Sequence, residues 1–235
     1  MNRNIHLHKQ TRREFRQRIQ SGELQACIIP TGAIEQHLEH LEMEHDWRSV
    51  SEISAAVAEQ LAPRVVVASG VMAGISEHHM THPGTLSLRP ATFLAVLGDL
   101  IHSVVRTGIR HILVLNGHGG NVLPCRAVWD QFLREFRVNL QFLPYWELLD
   151  AEDSQLLQSK QIPGHAQEFE TAIAAARFPG NIRQEALRDQ ADASPALATA
   201  ETGEILFERT VQRVTGFLES MMDGDNVVEI PPSFP

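Results

Sequence analysis

The chain has 235 residues, a formal net charge of -9 with histidine neutral, and an ordinary hydrophobic share of 43%. The negative charge disfavours a nucleic-acid partner, because phosphate backbones repel acidic surfaces. No segment approaches eighteen uninterrupted apolar residues, and residues 1–10 hold no signal-peptide core, so we expect no membrane partner and a cytoplasmic location. The length suits one domain over residues 1–235, in which 223–235 form a C-terminal tail.

Apolar patterns predict helices and strands in alternation along the chain. Thr11 and Glu14 have the spacing of a capping box, which marks the start of the first helix. The predicted helices cover residues 11–20, 46–61, 90–108, 122–136, 164–179 and 201–221. The predicted strands cover residues 24–29, 64–68, 111–115 and 139–144. This alternation predicts an α/β fold, a three-layer α/β/α domain with a mostly parallel sheet.

Carboxylates and imidazoles are dense in residues 30–47, directly after the first predicted strand. Glu35 and His37 lie two residues apart, and Asp46 follows nine residues after His37. Ligands of open α/β sheets bind at the carboxyl ends of the strands, where these side chains are expected. Carboxylate oxygen and imidazole nitrogen bind zinc, manganese and iron, so we interpret the stretch as a metal-ligand loop. A solvated acidic turn with incidental histidines is the alternative.

The long segment 69–90 carries three histidines, His78, His79 and His82. Loops of this length in compact domains are usually functional or disordered. Glu77 is the one carboxylate beside them, so pocket lining or simple solvation is favoured over a role as metal ligands.

Residues 116–121, N-G-H-G-G-N, follow the third predicted strand and form the second candidate site. Three glycines around His118 allow the backbone to approach another group closely. A phosphate cradle is the competing interpretation, but no lysine follows and the spacing matches neither known glycine-rich pattern. A histidine ligand fits the pattern better.

The segment 164–171, G-H-A-Q-E-F-E-T, opens the alanine-rich helix. Glu168 and Glu170 are two residues apart and cannot share a helix face, so at most one of them is expected to meet a metal. His165 lies near the predicted helix start, from which it could reach into a pocket.

Four blocks in this order resemble the creatininase (creatinine amidohydrolase) family, in its G-H-G-G-N branch. They are G-A-I-E-Q-H-L-E-H-L at 32–41 with Asp46, S-E-H-H-M-T-H-P-G-T-L-S-L at 76–88, L-V-L-N-G-H-G-G-N at 113–121, and H-A-Q-E-F-E-T at 165–171. The resemblance covers the chain from the first helix to the last and implies a creatininase-like fold.

The resemblance implies a two-metal hydrolase. Glu35, Asp46 and His118 would hold one ion, while His37 and the shared Asp46 would hold the other. In creatininase proper a carboxylate two residues after the loop histidine completes the second site, and that position is Gly120 here. The G-H-G-G-N branch uses the glutamate of the last motif instead, which assigns Glu170 as the remaining ligand. Zinc is the first choice of metal, with manganese or iron as alternatives.

The resemblance also assigns His165 as the proton donor to the leaving nitrogen, a role suited to a histidine near its pKa midpoint. Substrate-binding roles are predicted for Ser76, His79, Gly119 and Trp146. The implied reaction is hydrolysis of an amide C–N bond in a small cyclic amide or formamide by a metal-activated water. A homo-oligomer, a hexamer by family resemblance, is expected.

Several positions depart from the family pattern and leave the substrate open. They are Leu38, Glu39, Glu42, His45 and Gln167. Leu38 and Gln167 are expected to add side chains near the pocket. The enzyme alternatives are a creatininase, a formamidopyrimidine-type amide hydrolase and a peptide-trimming enzyme. A metal-binding pseudoenzyme that serves as an assembly or binding subunit is the alternative from another class.

Overall fold

A computed structural model describes residues 5–232. It contains four strands, β1 to β4, which are Ala26–Thr31, Val65–Val67, His111–Asn116 and Asn139–Pro144. The seven α-helices, α1 to α7, are Arg12–Gln20, His45–Gln60, Pro90–Arg106, Val122–Phe136, Ala151–Ser154, Glu168–Arg177 and Ala200–Asp223. All strand pairs are parallel, in the order β2-β1-β3-β4, so the predicted α/β fold is confirmed.

The sheet is buried on both faces. Successive residues of a strand point to opposite sides of the sheet, so neighbouring residues pack into different cores. Ile28 and Leu113 face a core that includes side chains of α2, α6 and α7. Cys27 and Ile112 face the opposite core, which includes side chains of α3 and α4. Helices therefore flank the sheet on both sides, and the loops at the carboxyl ends of the strands emerge between the two helical layers.

Strand β1 begins and ends two residues later than predicted, and it includes Pro30. The Pro30 carbonyl points to the β2 side, where it accepts from the Val71 N–H. In a parallel pair the N–H of a residue points to the same side as its carbonyl, so the N–H that proline lacks would also face β2. Pairing with β2 already ends at Ile28 and Val67, so no strand acceptor there needs the missing proline N–H. This geometry lets the strand continue to Thr31 and carries the next loop to the sheet edge.

Helix α6 begins at Glu168, four residues later than predicted. Gly164 and Ala166 both have positive φ angles, of 71° and 52°, which are incompatible with a right-handed helix. His165 therefore lies in an irregular segment before the helix. Among residues 5–232, no helix combines the length and the apolar character that a membrane span requires.

Candidate metal centre

Loops after β1 and β3 and the first turn of α2 bring three predicted ligands together at the carboxyl edge of the sheet. Glu35 follows β1, His118 follows β3, and Asp46 is the second residue of α2. The loop after β3 packs closely on α2, since a Cβ at Gly117 would lie 2.6 Å from the Asp46 carbonyl oxygen. Glycine at this position therefore permits the contact between the loop after β3 and helix α2.

Asp46 lies at the centre of the cluster, between two imidazoles. Its Oδ1 is 3.1 Å from Nε2 of His37, and its Oδ2 is 2.8 Å from Nδ1 of His118. All three side chains are almost inaccessible to solvent. One carboxylate thus contacts two separate imidazole nitrogens, one with each oxygen, which is the arrangement predicted for Asp46 as a residue shared between two ions.

The second nitrogen of each imidazole contacts a backbone carbonyl. His37 Nδ1 lies 3.1 Å from the Glu35 carbonyl oxygen, and His118 Nε2 lies 3.0 Å from that of Ile75. A carbonyl only accepts, so these nitrogens carry hydrogen. In a neutral ring the lone pair is then on the nitrogen that faces Asp46. Metal-binding histidines are commonly oriented in this way.

Asn121 fixes the segment that supplies the Ile75 carbonyl. Its Oδ1 accepts the Ile75 N–H at 2.9 Å, and its Nδ2 donates to the Gly32 carbonyl at 3.2 Å and to Asn116 Oδ1 at 3.0 Å. This fully buried amide ties the loops after β1 and β3 to the segment that orients His118.

Glu35 and Glu170 approach the cluster from opposite sides. Glu35 Oε1 is 3.5 Å from His118 Nδ1, and Glu170 Oε2 is 3.9 Å from His37 Nε2. The Ala166 N–H donates to Glu170 Oε2 at 2.5 Å. Glu168 faces away from the centre and accepts hydrogen bonds from the backbone N–H groups of residues 158 and 159. The two glutamates of α6 thus have separate partners.

Electrostatics in the cluster favour charge separation between imidazoles and Asp46. Burial alone would lower the pKa of His37, but Asp46 and then Glu170 outweigh it and raise this pKa to about 10. The pKa of His118 is also raised, because the Asp46 and Glu35 carboxylates outweigh burial. Burial would raise the pKa of Asp46, but the two histidines hold it below its usual range. Burial raises the pKa of Glu170 to about 8.

One buried carboxylate oxygen of the centre, Glu35 Oε2, accepts no hydrogen bond from any group in residues 5–232. An unpaired buried carboxylate oxygen is costly, whereas a divalent cation would satisfy it. Glu35, His37 and Asp46 have ligand atoms within 4.8 Å of one another, as do His37, His165 and Glu170. The donor set therefore fits divalent metal ions with oxygen and nitrogen ligands.

A cavity of about 310 Å³ opens onto this centre. The predicted substrate-binding residues His79, Gly119 and Trp146 line it together with His165. His78 also lines it, whereas His82 lines a neighbouring groove. The long loop 69–90 thus contributes two of its histidines to the cavity wall.

Ser76 is not where the substrate-binding prediction requires it. Its side chain is fully buried and does not line the cavity. Its hydroxyl instead lies 3.2 Å from His118 Nε2, behind the ring. Ser76 therefore contacts a ligand of the proposed centre rather than the space available to a substrate.

The His165 environment differs from the expected one. Its Nδ1 is 3.6 Å from Glu35 Oε1, and its ring lies 4.7 Å from that of His37. Burial, with the positive charge of nearby His37, lowers the pKa of His165 to about 3. The imidazole is therefore neutral at pH 7 rather than near its midpoint.

Close contacts with neighbouring atoms explain why residue 120 is a glycine. A Cβ there would lie 2.1 Å from the Ile75 carbonyl oxygen and 2.5 Å from His118 Nε2. The same contacts that orient His118 exclude any side chain at Gly120. In this arrangement a ligand for the His37 side of the centre must come from elsewhere, and Glu170 is the carboxylate that approaches it.

Leu38 and Gln167, which are expected to add side chains near the pocket, do not line the cavity itself. Gln167 lies beside its wall, since a Cβ at cavity-lining Gly164 would be 2.6 Å from Gln167 Oε1. Leu38 packs against the core on the α2 side. Gln167 Nε2 donates to Asp192 Oδ2 at 3.2 Å, away from the centre. His45 is buried beside His37, with its Nε2 3.3 Å from the Ser49 hydroxyl.

Sequence reasoning missed two contributors to the centre, the Ile75 carbonyl and Gln36. A backbone carbonyl leaves no signal in the residue type. Gln36 stands between the predicted ligands Glu35 and His37, and that position was the available signal.

Residues 8–218 match the family model described as creatinine amidohydrolase. The chain is 25% identical to a creatinine amidohydrolase of Pseudomonas putida, over 91% of this chain and 96% of that protein. It is also 37% identical to a mycofactocin precursor peptide peptidase of Mycolicibacterium smegmatis, over 40% of each chain. A 3-dehydro-scyllo-inosose hydrolase of Thermotoga maritima is 28% identical, over 77% of this chain and 58% of that protein.

Solved creatininase structures have the same fold. A manganese creatininase superposes with a TM-score of 0.81 at 25% identity, covering 93% of this chain and 99% of the other. A mutant creatininase of Zn-Zn type gives a TM-score of 0.81 at 25% identity, with coverage of 94% and 99%. The family model spans most of the chain and the structural match spans nearly all of it, so this protein belongs to the creatininase family of hydrolases.

Proposed function

We propose that this protein is a dinuclear metal-dependent amidohydrolase that cleaves a C–N bond of a small cyclic amide or formamide. The observation that carries the proposal is the position of Asp46, whose two oxygens contact His37 on one side and His118 on the other. Glu35, Asp46 and His118 would hold one ion, and His37, Asp46 and Glu170 the other. Zinc is the preferred ion, with manganese and iron as alternatives.

Two divalent ions, when bound, would activate a water and polarise the carbonyl under attack. The residues of the chain supply the remaining functions. Gly119, His79 and Trp146 line the cavity and would contact the substrate. One proton must pass from the attacking water to the leaving nitrogen. A neutral His165 would accept this proton at one ring nitrogen and release one to the leaving nitrogen, so that the ring ends each turnover neutral. Its Nδ1 lies beside Glu35 Oε1 at the cavity wall, and we place it on that route.

The cavity volume of about 310 Å³ supports a small substrate. Trimming of a peptide is a second candidate, because the match to the mycofactocin precursor peptide peptidase has higher local identity than the match to creatinine amidohydrolase. The proposal also includes a cytoplasmic homo-oligomer, a hexamer by family resemblance. Sedimentation velocity would measure the mass of this oligomer.

The test combines metal content with turnover. Purified protein loaded with zinc should contain about two ions per chain and hydrolyse at least one compound from a panel of cyclic amides, formamides and short peptides. His165→Ala should lower kcat by ~10² to 10⁴-fold, the usual contribution of proton transfer, without changing the metal content. Hydrolysis of peptides alone would favour the second candidate.

His102→Ala is the matched control, because His102 is an exposed histidine on α3 that does not line the cavity. It should retain wild-type turnover and metal content. Loss of zinc in His165→Ala would make His165 a ligand and contradict the assigned role. Two bound ions without turnover of any compound would favour the pseudoenzyme over the amidohydrolase.

A further inference from the structure

Gln36 lies between two proposed ligands, but its side chain forms a separate set of contacts. Its Oε1 accepts the Leu38 N–H at 3.0 Å, in a turn where Leu38 has a positive φ of 53°. A backbone N–H only donates, so the atom that faces it must be the amide oxygen. This contact fixes the orientation of the Gln36 amide and directs its NH₂ group the other way.

The NH₂ group of Gln36 faces one nitrogen on each of two histidines. Gln36 Nε2 is 2.8 Å from His79 Nδ1 and 2.8 Å from His165 Nε2. An amide nitrogen carries two hydrogens and accepts none, so both ring nitrogens must be acceptors. A neutral imidazole that accepts at one nitrogen carries its hydrogen on the other. His79 is therefore the Nε2–H tautomer, and His165 is the Nδ1–H tautomer.

Both remaining N–H groups lie close to one carboxylate oxygen at the cavity. His79 Nε2 is 3.8 Å and His165 Nδ1 is 3.6 Å from Glu35 Oε1. The two rings stack with centroids 4.4 Å apart and planes inclined by 19°. A single amide thus aligns two imidazoles as a pair of donors beside the proposed metal centre.

We infer that Gln36 is a positioning residue, whose amide selects the tautomers of His79 and His165 so that both rings present an N–H beside Glu35. The catalytic consequence rests on the proposed function, since the His165 N–H is the group placed on the proton route. The tautomers themselves are a property of the fold and can be measured without any substrate.

The test uses the full chain, zinc-loaded and labelled with ¹⁵N-histidine. Long-range ¹H–¹⁵N correlation spectra distinguish the two neutral tautomers of each ring. His79→Asn and His165→Asn variants would assign the signals. The wild type should show hydrogen on Nε2 of His79 and on Nδ1 of His165.

Gln36→Glu replaces the amide by a carboxylate of nearly the same shape, which accepts where the amide donates. The ring nitrogens that face residue 36 should then carry hydrogen, which reverses the pattern at both histidines. Turnover should fall by ~10 to 100-fold, as is typical when a residue that orients a metal-site group is replaced. The zinc content should stay at the wild-type value.

Gln190→Glu is the matched control. The Gln190 amide has a similar pattern of partners but faces one histidine instead of two, with Oε1 3.5 Å from the Glu39 backbone nitrogen and Nε2 3.1 Å from His40 Nδ1. His40 does not line the cavity. This variant should change the His40 signals and leave the signals of His79 and His165, and the turnover, as in the wild type.

Wild-type spectra with hydrogen on His79 Nδ1 or on His165 Nε2 would overturn the inference, whether or not the variant folds. So would a Gln36→Glu protein whose two tautomers are unchanged. If the tautomers behave as expected and the wild type hydrolyses nothing, the proposed function fails and the assignment of Gln36 stands. If the wild type is active but shows other tautomers than expected, the proposed function stands and the assignment of Gln36 fails.

Discussion

Asp153 and Asp46 are both buried and lie near basic groups, but they differ in the cations and hydrogen-bond donors that surround the carboxylate. Asp153 is fully inaccessible, and Arg209 contacts its Oδ1 at 2.8 Å while Arg213 contacts its Oδ2 at 2.6 Å. The Asp150 N–H also donates to Oδ2 at 2.8 Å. The chain itself thus supplies every cation and donor that this carboxylate requires.

Around Asp46 the partners are histidines whose other nitrogens contact backbone carbonyls. The next nearest side chains are two more carboxyl groups, Glu35 and Glu170, rather than a permanent cation, and Glu35 Oε2 accepts no hydrogen bond from the described residues. No arginine or lysine contacts Asp46 within the described part of the chain. The chain thus neutralises Asp153 with its own arginines, whereas the donor set around Asp46 fits a cation from solution.

The largest expected effect is on metal content. Asp46→Asn removes the carboxylate that we place between both ions, so the zinc content should fall from about two ions per chain to none. Asp153→Asn should keep both ions, because its cluster lies outside the ligand set. Elemental analysis of the two variants and the wild type, purified side by side, measures the difference.

Retention of one ion in Asp46→Asn would show that the carboxylate belongs to one site only. Loss of zinc in Asp153→Asn would show that the two clusters are coupled, and the comparison between them would fail.

A smaller effect is expected on stability. Asp153→Asn breaks a buried pair and should lower the free energy of unfolding by about 3 kcal/mol, the low end for such a change, because both arginines are partly exposed and can rehydrate. Denaturant unfolding with and without a chelator should give the same loss, since no metal ligand is involved. A loss that disappears when zinc is removed would contradict this.

Much of the candidate metal centre could be predicted from the sequence because parallel strands bring their following loops to one edge. Glu35 after β1 and His118 after β3 are examples, and helix geometry also limited Glu168 and Glu170 to one metal contact at most. The structure gives Glu168 backbone partners and turns Glu170 toward His37.

Other features depend on contacts between distant segments and could not be predicted from residue type. Ser76 packs behind His118 because the Ile75 carbonyl, held by Asn121, fixes that ring. Gln36 reaches two histidines that are 43 and 129 residues away along the chain. Local spacing carries no information about such pairs, so they emerge only when the loops are placed.

Proton release on metal binding is the smallest effect that separates the two clusters. Burial alone would lower the pKa of His37, but Asp46 and Glu170 raise it by a larger amount. The resulting pKa is about 10 in the metal-free chain. The stabilisation from this pairing is complete below the unfolded pKa of about 6.5 and is lost as the pH rises through about 10. At pH 8 an ion must displace the His37 proton, so zinc affinity should increase with pH across this window.

Titration calorimetry at pH 8, in two buffers with different ionisation enthalpies, should therefore detect at least about one proton released per chain on zinc binding. Asp153→Asn should release the same number, because arginine keeps its proton throughout this pH range. Equal heats in both buffers would mean that His37 is neutral before the ion arrives. The histidine nitrogens that face Asp46 would then carry no hydrogen even before zinc binds. In that case the Asp46 and Asp153 clusters would differ in geometry alone.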